Sequence, residues 1–246
     1  MKSLAVAIAL AASMPFAASA SSADNDPAAK TLQAIVPGVT VNSVEDGPLR
    51  GWKTVVYNGT EVAYVIDQNR HVIFGNVVRS NDRHSYTVET RDELRQGVIG
   101  ELPTSLRLTY KAADEKAEIT VFTDVSCSFC MKFHTSNVLA YNAAGVTVHY
   151  YPAPRGGKAS TAWPVMRDIW CSDDPKAALS AYIADPTKHP RPAPAGCTFD
   201  TVAVEAATKA LGMMGTPGVY TQQGEDLGGA APVESVLPRL GVQAAR

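Results

Sequence analysis

The sequence predicts an α+β protein in two units. A small N-terminal helix is followed by an antiparallel meander, a partly helical connector comes next, and a larger C-terminal unit sets a β-sheet among helices. Three observations carry this reading. Two β-rich runs, Trp52 to Tyr57 and Glu61 to Asp67, flank Asn58-Gly59, a dipeptide suited to the positive φ angles of a type I′ hairpin turn. A second strand-like run, Glu118 to Thr123, leads into Cys127-Ser128-Phe129-Cys130 and a helical stretch. Between the two regions lie a polar break at Ser80 to Arg83 and a stop at Leu102-Pro103.

Composition narrows the class. The chain has 246 residues, room for one large domain or two modest ones. Its 22 Lys+Arg against 24 Asp+Glu leave a net charge of −2, which argues against electrostatic nucleic-acid binding or a polybasic membrane grip. With 46% hydrophobic and 19% charged residues the balance is that of a globular protein, and 18 Gly and 16 Pro punctuate it without low complexity.

Residues 1–20 read as a secretory signal peptide. Lys2 is the positive start, Leu4 to Ala12 with Met14, Pro15 and Phe16 form the apolar stretch, and Ala18-Ser19-Ala20 fits a small-x-small cleavage site after Ala20. As a membrane anchor this run falls short of the ~20 apolar residues a spanning helix needs. The short leader points to bacterial export and the periplasm, a compartment where disulfides persist.

Residues 21–81 form the expected first domain. Leu32, Ile35 and Val36 recur at helical spacing within Ala28 to Val36, and Pro37-Gly38 stops that helix. The hairpin around Asn58-Gly59 follows, then a turn at Gln68-Asn69-Arg70 and a strand from His71 to Val78. So small a unit buries little of its own surface, and pairing with a second copy supplies the missing burial. Residues 82–106 are a linker, with an amphipathic helix over Asp92 to Gly100 carrying Leu94, Val98 and Ile99. From 107 to 246 the pattern changes: the strand before Cys127, a helix from Cys127 to about Tyr141, a strand over Gly145 to Tyr151, and helices around Trp163 to Cys171, Lys176 to Ile183 and Val202 to Leu211. A short strand at Gly218 to Thr221 and a last helix at Glu234 to Leu240, limited by Pro238, complete the unit.

The four cysteines carry the chemistry. Two residues between Cys127 and Cys130 let the sulfurs meet across one turn at a helix start. Helix N-termini present unpaired N–H groups and partial positive charge, so Cys127, at the open end, is the more acidic thiol and the nucleophile. Cys130, one turn inward, is the resolving thiol. A zinc half-site competes with this reading, but structural zinc favours two close pairs, whereas Cys171 and Cys197 are 26 positions apart. A purely structural Cys127–Cys130 bridge would close a loop too small to stabilise much. Four cysteines allow three pairings, and the proximity of Cys127 and Cys130 leaves Cys171 with Cys197. That bridge adds roughly 3–4 kcal/mol in the chain-entropy account, less where Pro175, Pro186, Pro190, Pro192 and Pro194 already stiffen the segment.

Gly215-Thr216-Pro217-Gly218 lies just before a strand. Alone it is an ordinary turn. With strand–CxxC–helix upstream it matches the cis-proline loop of thioredoxin-like folds, so Thr216–Pro217 is expected to be cis, to face Cys127 and, with Phe129, to receive substrate.

The run Tyr110-Lys111-Ala112, Ile119 to His134, Tyr141-Asn142-Ala143, Tyr151-Pro152, Ile169-Trp170-Cys171 and Gly215-Thr216-Pro217 resembles the bacterial periplasmic disulfide isomerases of the DsbC/DsbG type. The resemblance is specific in order and spacing over about Arg107 to Leu240, and rests on length and element order in the first domain. It implies a V-shaped homodimer, joined through the N-terminal domains, whose two thioredoxin-like domains face a shared cleft. It also implies misfolded disulfide-containing exported proteins as clients and a membrane electron donor that keeps the CxxC reduced. Two residues depart from the family pattern: Ser128-Phe129 stands for the usual Gly-Tyr, and Met131 where histidine is common.

Among the remaining candidates, Asp124 reads either as a tuning or proton-relaying group or as an exposed turn or cap, and His134 as a packed or surface residue rather than a catalytic one. Phe129, Met131, Met213 and Met214 offer a soft apolar rim for unfolded clients, with core packing the competing reading for Met213 and Met214. No motif calls for a metal or an organic cofactor. The expected activity is disulfide isomerisation or reduction; reduction of sulfenylated cysteines and holdase binding of unfolded exported chains are the alternatives.

Overall fold

The computed structural model describes residues 23–243; the expected leader lies outside the described residues. Helix α1 (Pro27–Ile35) starts where Asp26 accepts a 2.7 Å hydrogen bond from the Ala28 N–H, with Pro27 in the first turn. It covers one face of a four-stranded antiparallel sheet ordered β1 (Val41–Asp46), β2 (Lys53–Tyr57), β3 (Glu61–Ile66), β4 (His71–Phe74). Ala28, Ala29 and Leu32 bury against Val41, Val55, Ala63 and Val65. The opposite face of β3 is also covered, because the Tyr64 hydroxyl meets that of Thr87 at 2.7 Å, at the start of helix α2 (Tyr86–Gly100). Burial from both sides explains why β2 and β3 read as continuous apolar runs.

The meander differs from expectation in three places. β1 is an additional strand: Val41-Asn42-Ser43-Val44-Glu45-Asp46 is too polar to signal one, and its register comes from pairing along β2. β4 ends at Phe74, and only the bridge Val78–Ser85 continues beyond it. Asn58 and Gly59 do take positive φ, 48° and 95°. However, Tyr57 pairs with Glu61, so Thr60 joins the loop and the turn has three residues, not two.

Helix α2 begins earlier than its apolar spacing predicts. Ser85 caps it by accepting from the Val88 N–H at 3.3 Å, and the buried Thr87 hydroxyl also accepts from the Val77 N–H at 2.9 Å. These tertiary anchors override the weak helix propensity of Tyr86, Thr87, Val88 and Thr90.

The C-terminal sheet has the order β5 (Leu108–Tyr110), β7 (Val146–Pro152), β6 (Ala117–Thr123), β8 (Gly218–Thr221), β9 (Asp226–Gly228). β6 and β7 run parallel, and β8 lies antiparallel to β6 on its other side. β5 and β9, three residues each, were too short to signal themselves. Ile119, Val121, Phe122, Val146, Val148 and Val219 are buried in a core closed by helices including α5 (Ala162–Trp170), α6 (Pro175–Ala184) and α7 (Val202–Ala210). The expected single helix after Cys127 is instead α3 (Ser128–Lys132), a π-helical turn over Phe133–Asn137 and α4 (Val138–Ala144). The expected last helix is α8 (Val233–Val236) followed by a 3₁₀ turn over Leu237–Leu240.

The two units touch within one chain. Arg91 on α2 pairs with Glu61 of β3 at 3.0 Å, and the Gly59 turn lies so near the Ala210 backbone that a Cβ there would collide with it. Gly59→Ala should therefore destabilise the protein by about 1–3 kcal/mol, combining left-handed strain with the clash. A thermal unfolding midpoint unchanged from wild type would show that this contact is dispensable.

Candidate active site

The order of the second sheet brings the site together. Strands β6 and β7 are parallel neighbours with Thr123 opposite Pro152, so the loops leaving their C-terminal ends are adjacent. β8 enters beside β6 with Gly218 opposite Phe122, which sets the preceding loop next to the same end. Cys127 is the N-cap of α3, with extended backbone at φ −92° and ψ 116°. Its residue is 4% exposed, and its thiol donates to the Thr216 carbonyl at 3.2 Å. The Thr216–Pro217 peptide is cis and stands against Cys127, as the motif pattern predicts.

The two thiols are free and differ in acidity. Burial opposes ionisation of Cys127. Hydrogen bonds from the Thr216 side chain, from the backbone and thiol of Cys130, and from the Phe129 N–H outweigh it and hold the thiol below its ordinary value. Cys130 is pushed up to about 12, first by burial and further by the neighbouring Cys127 charge, despite hydrogen bonds from the Asp124 backbone and the Thr216 and Thr123 side chains. The pair is thus polarised: one sulfur ionises early and reaches the surface of the site, while the other keeps its proton in the interior.

Asp124 is a buried brace, which corrects the expectation of an exposed turn. It is fully buried. Its Oδ1 accepts from the Ser126 N–H and hydroxyl, both at 2.7 Å. Its Oδ2 accepts from the Arg155 N–H at 2.8 Å and faces Arg155 Nε at 3.4 Å. The carboxylate thereby ties the loop before Cys127 to the loop after β7, and the Asp124 N–H itself points to the Cys130 sulfur at 3.5 Å. Sequence reasoning missed Arg155. The available signal was topological: loops at the C-terminal ends of adjacent parallel strands meet, and Pro154-Arg155-Gly156-Gly157 follows β7 there.

A groove of about 430 Å³ runs between the Arg155 loop and Met213 to Thr216. Phe129 is 65% and Met214 100% exposed beside the thiols. Met213 packs partly on the core, with its side chain so close to Gly218 that a Cβ there would collide. Cys171, at the end of α5, and Cys197 are disulfide-bonded with Cα atoms 6.0 Å apart, as expected. They hold the proline-rich segment together with Asp168, which accepts from the Ala193 N–H at 2.9 Å.

Comparison with known proteins places this geometry. The N-terminal domain family of disulfide bond isomerase proteins matches residues 19–88, and the thioredoxin-like domain family matches residues 107–242. The thiol:disulfide interchange protein DsbC of Escherichia coli K12 is 34% identical over 195 residues, covering 79% of each chain. The chain belongs to the DsbC family. The DsbC of Salmonella typhimurium is 34% identical over 187 residues, covering 76% of this chain and 75% of its own. That of Dickeya dadantii is 31% identical over 207 residues, covering 82% of both. As a member of the DsbC family the protein is a thiol–disulfide oxidoreductase with a thioredoxin-like domain.

The polarised pair predicts a pH signature. Alkylation of Cys127 by iodoacetamide should persist below the pH at which a free cysteine is mostly protonated, and fade as pH falls through its lowered pKa. Cys130 should stay unmodified across neutral pH. Thr216→Ala, which removes a hydrogen bond to the thiolate, should move the Cys127 midpoint upward. A midpoint equal to that of free cysteine would contradict the geometry.

Proposed function

We propose that the protein is a periplasmic disulfide isomerase and reductase in which Cys127 is the nucleophile and Cys130 the resolving thiol. The observation that carries this is the Cys127 thiol, held on the Thr216 carbonyl at a helix N-terminus with its proton weakened, one turn from a buried thiol of opposite tendency. The Cys127 thiolate attacks one sulfur of a wrong disulfide in a client. A mixed disulfide forms and the other client sulfur leaves as thiolate. When a second client thiolate attacks the mixed disulfide, Cys127 is regenerated and the client is isomerised without net redox change. When the Cys130 thiolate attacks Cys127 instead, the Cys127–Cys130 bond forms and the client is reduced by two electrons. A membrane electron donor then restores the dithiol.

Thr216 and Pro217 offer backbone to the client chain, and Phe129 with Met214 supplies adaptable apolar contact. Cys171–Cys197 serves as a structural bridge. Residues 1–20 act as the leader removed near Ala20, residues 21–81 as the dimerisation domain, 82–106 as the linker and 107–246 as the catalytic domain. A homodimer fits the small first core and the free edge of β4, where Phe74 and Val78 are half exposed. The exposed Phe129 and Met214 also favour a second reading, holdase binding of unfolded chains independent of the thiols.

Refolding of scrambled ribonuclease tests the first reading. Cys127→Ala should fall to the uncatalysed rate, and Cys130→Ala should accumulate mixed disulfide while keeping part of the isomerase activity. Wild-type performance by Cys127→Ala would remove the proposal. Suppression of aggregation that survives loss of both cysteines would establish the second reading on its own.

A further inference from the structure

Resolution of the mixed disulfide requires Cys130 to lose a proton that burial holds tightly. Asp124, the carboxylate closest in sequence, has both oxygens occupied by Ser126 and Arg155. Behind the site lie two other polar atoms, buried and without hydrogen-bond partners among the described residues: Tyr150 Oη and His134 Nδ1. His134 is one helical turn beyond Cys130, within the π-helical turn, a feature that recurs at functional sites. Its ring lies 5.9 Å from Tyr150 and 5.4 Å from Tyr110, centroid to centroid. Tyr150 also packs against Phe133 at 6.3 Å, and a negative charge on Cys130 acts on its hydroxyl. The other imidazole nitrogen, Nε2, is 3.0 Å from the hydroxyl of Ser180, an exposed residue of α6. With the proton assigned to Nε2 for that bond, the Nδ1 lone pair faces the interior.

We propose that Tyr150 and His134 form a proton exit for Cys130: the thiol proton passes to Tyr150 Oη, the Tyr150 proton to His134 Nδ1, and the His134 Nε2 proton through Ser180 to water. The S–H bond of Cys130 breaks as its sulfur attacks Cys127 Sγ, the Cys127–Cys130 bond forms, and the client sulfur leaves with the electron pair and is protonated by solvent. His134 and Tyr150 touch neither client nor reacting sulfur bond and are positioning residues. The groups packed around His134 are Tyr110 from β5, Tyr150 from β7, Ser180 from α6 and Cys130 one turn back. Asp174, the cap of α6, acts on Tyr110. Burial lowers the His134 pKa, so the ring is neutral and able to accept at neutral pH.

This relay rests on the function proposed above, and one experiment separates the two. Cys127 of the full-length protein is loaded with thionitrobenzoate, and release of the coloured thiol by Cys130 is followed by stopped flow from pH 5 to 9. In wild type the release rate should fall on the acid side as His134 takes up a proton. His134→Gln and Tyr150→Phe should each slow release about 10- to 100-fold at pH 7, the range of one acid–base contribution. In both variants the acid limb should vanish and the deficit narrow as hydroxide replaces the relay. Ser180→Ala, a surface change, should show a smaller slowing of the same form, and the rate of loading at Cys127 should be unchanged throughout. If loading and release proceed and Tyr150→Phe matches wild type at every pH, the relay is wrong and the isomerase reading stands. If wild-type Cys127 takes up no adduct, both fall.

Discussion

The contact between the Cys127 thiol and the Thr216 carbonyl spans 89 positions of sequence, and the chemistry of the molecule depends on it. A thiol at a helix N-terminus is already biased toward ionisation by unpaired N–H groups. Packing the Gly215–Gly218 loop over that sulfur adds hydrogen bonds to the ionised form and excludes water from one side. The second thiol, a turn deeper, experiences the same burial with less compensation and moves the other way. A difference in acidity between two identical side chains arises here from a few ångströms of depth.

Most of the second domain serves to hold that contact. The central strand β6 has a parallel neighbour on one side and an antiparallel one on the other, so three loops converge at one sheet end. Asp124 then locks two of them with hydrogen bonds to a carboxylate inside the protein, which are stronger than neutral ones. The aromatic cluster of Tyr110, Phe133, His134 and Tyr150 fills the space beneath the helix. The first domain reaches the same unit through Gly59 against Ala210 and through α2, so its sheet is coupled mechanically to helix α7, which leads into the Thr216 loop.

Legibility along the chain followed the range of the forces involved. Asp26-Pro27, Asn58-Gly59 and the residues around Cys127 act on their immediate neighbours, and each was readable from those neighbours. β1 escaped notice because its residues are polar and its existence depends on β2. The early start of α2 escaped because hydroxyl contacts from Thr87 to Tyr64 and Val77 outweigh local propensity. The π-helical turn at Phe133–Asn137 interrupts what periodicity reads as a single helix, and no composition signal marks it.

From the residues alone follow the class of fold, the CxxC at a helix start, the pairing of Cys171 with Cys197 and the cis geometry before Pro217. Those depend on backbone preferences and spacing, which are local quantities. Only the folded arrangement decided that Asp124 is a buried brace with Arg155, that Cys130 is the thiol held protonated, and that His134 and Tyr150 keep unpartnered polar atoms beneath the site. The physical reason is that burial and hydrogen-bond satisfaction belong to groups brought together across strands, and a single chain position carries no record of which distant atoms will surround it.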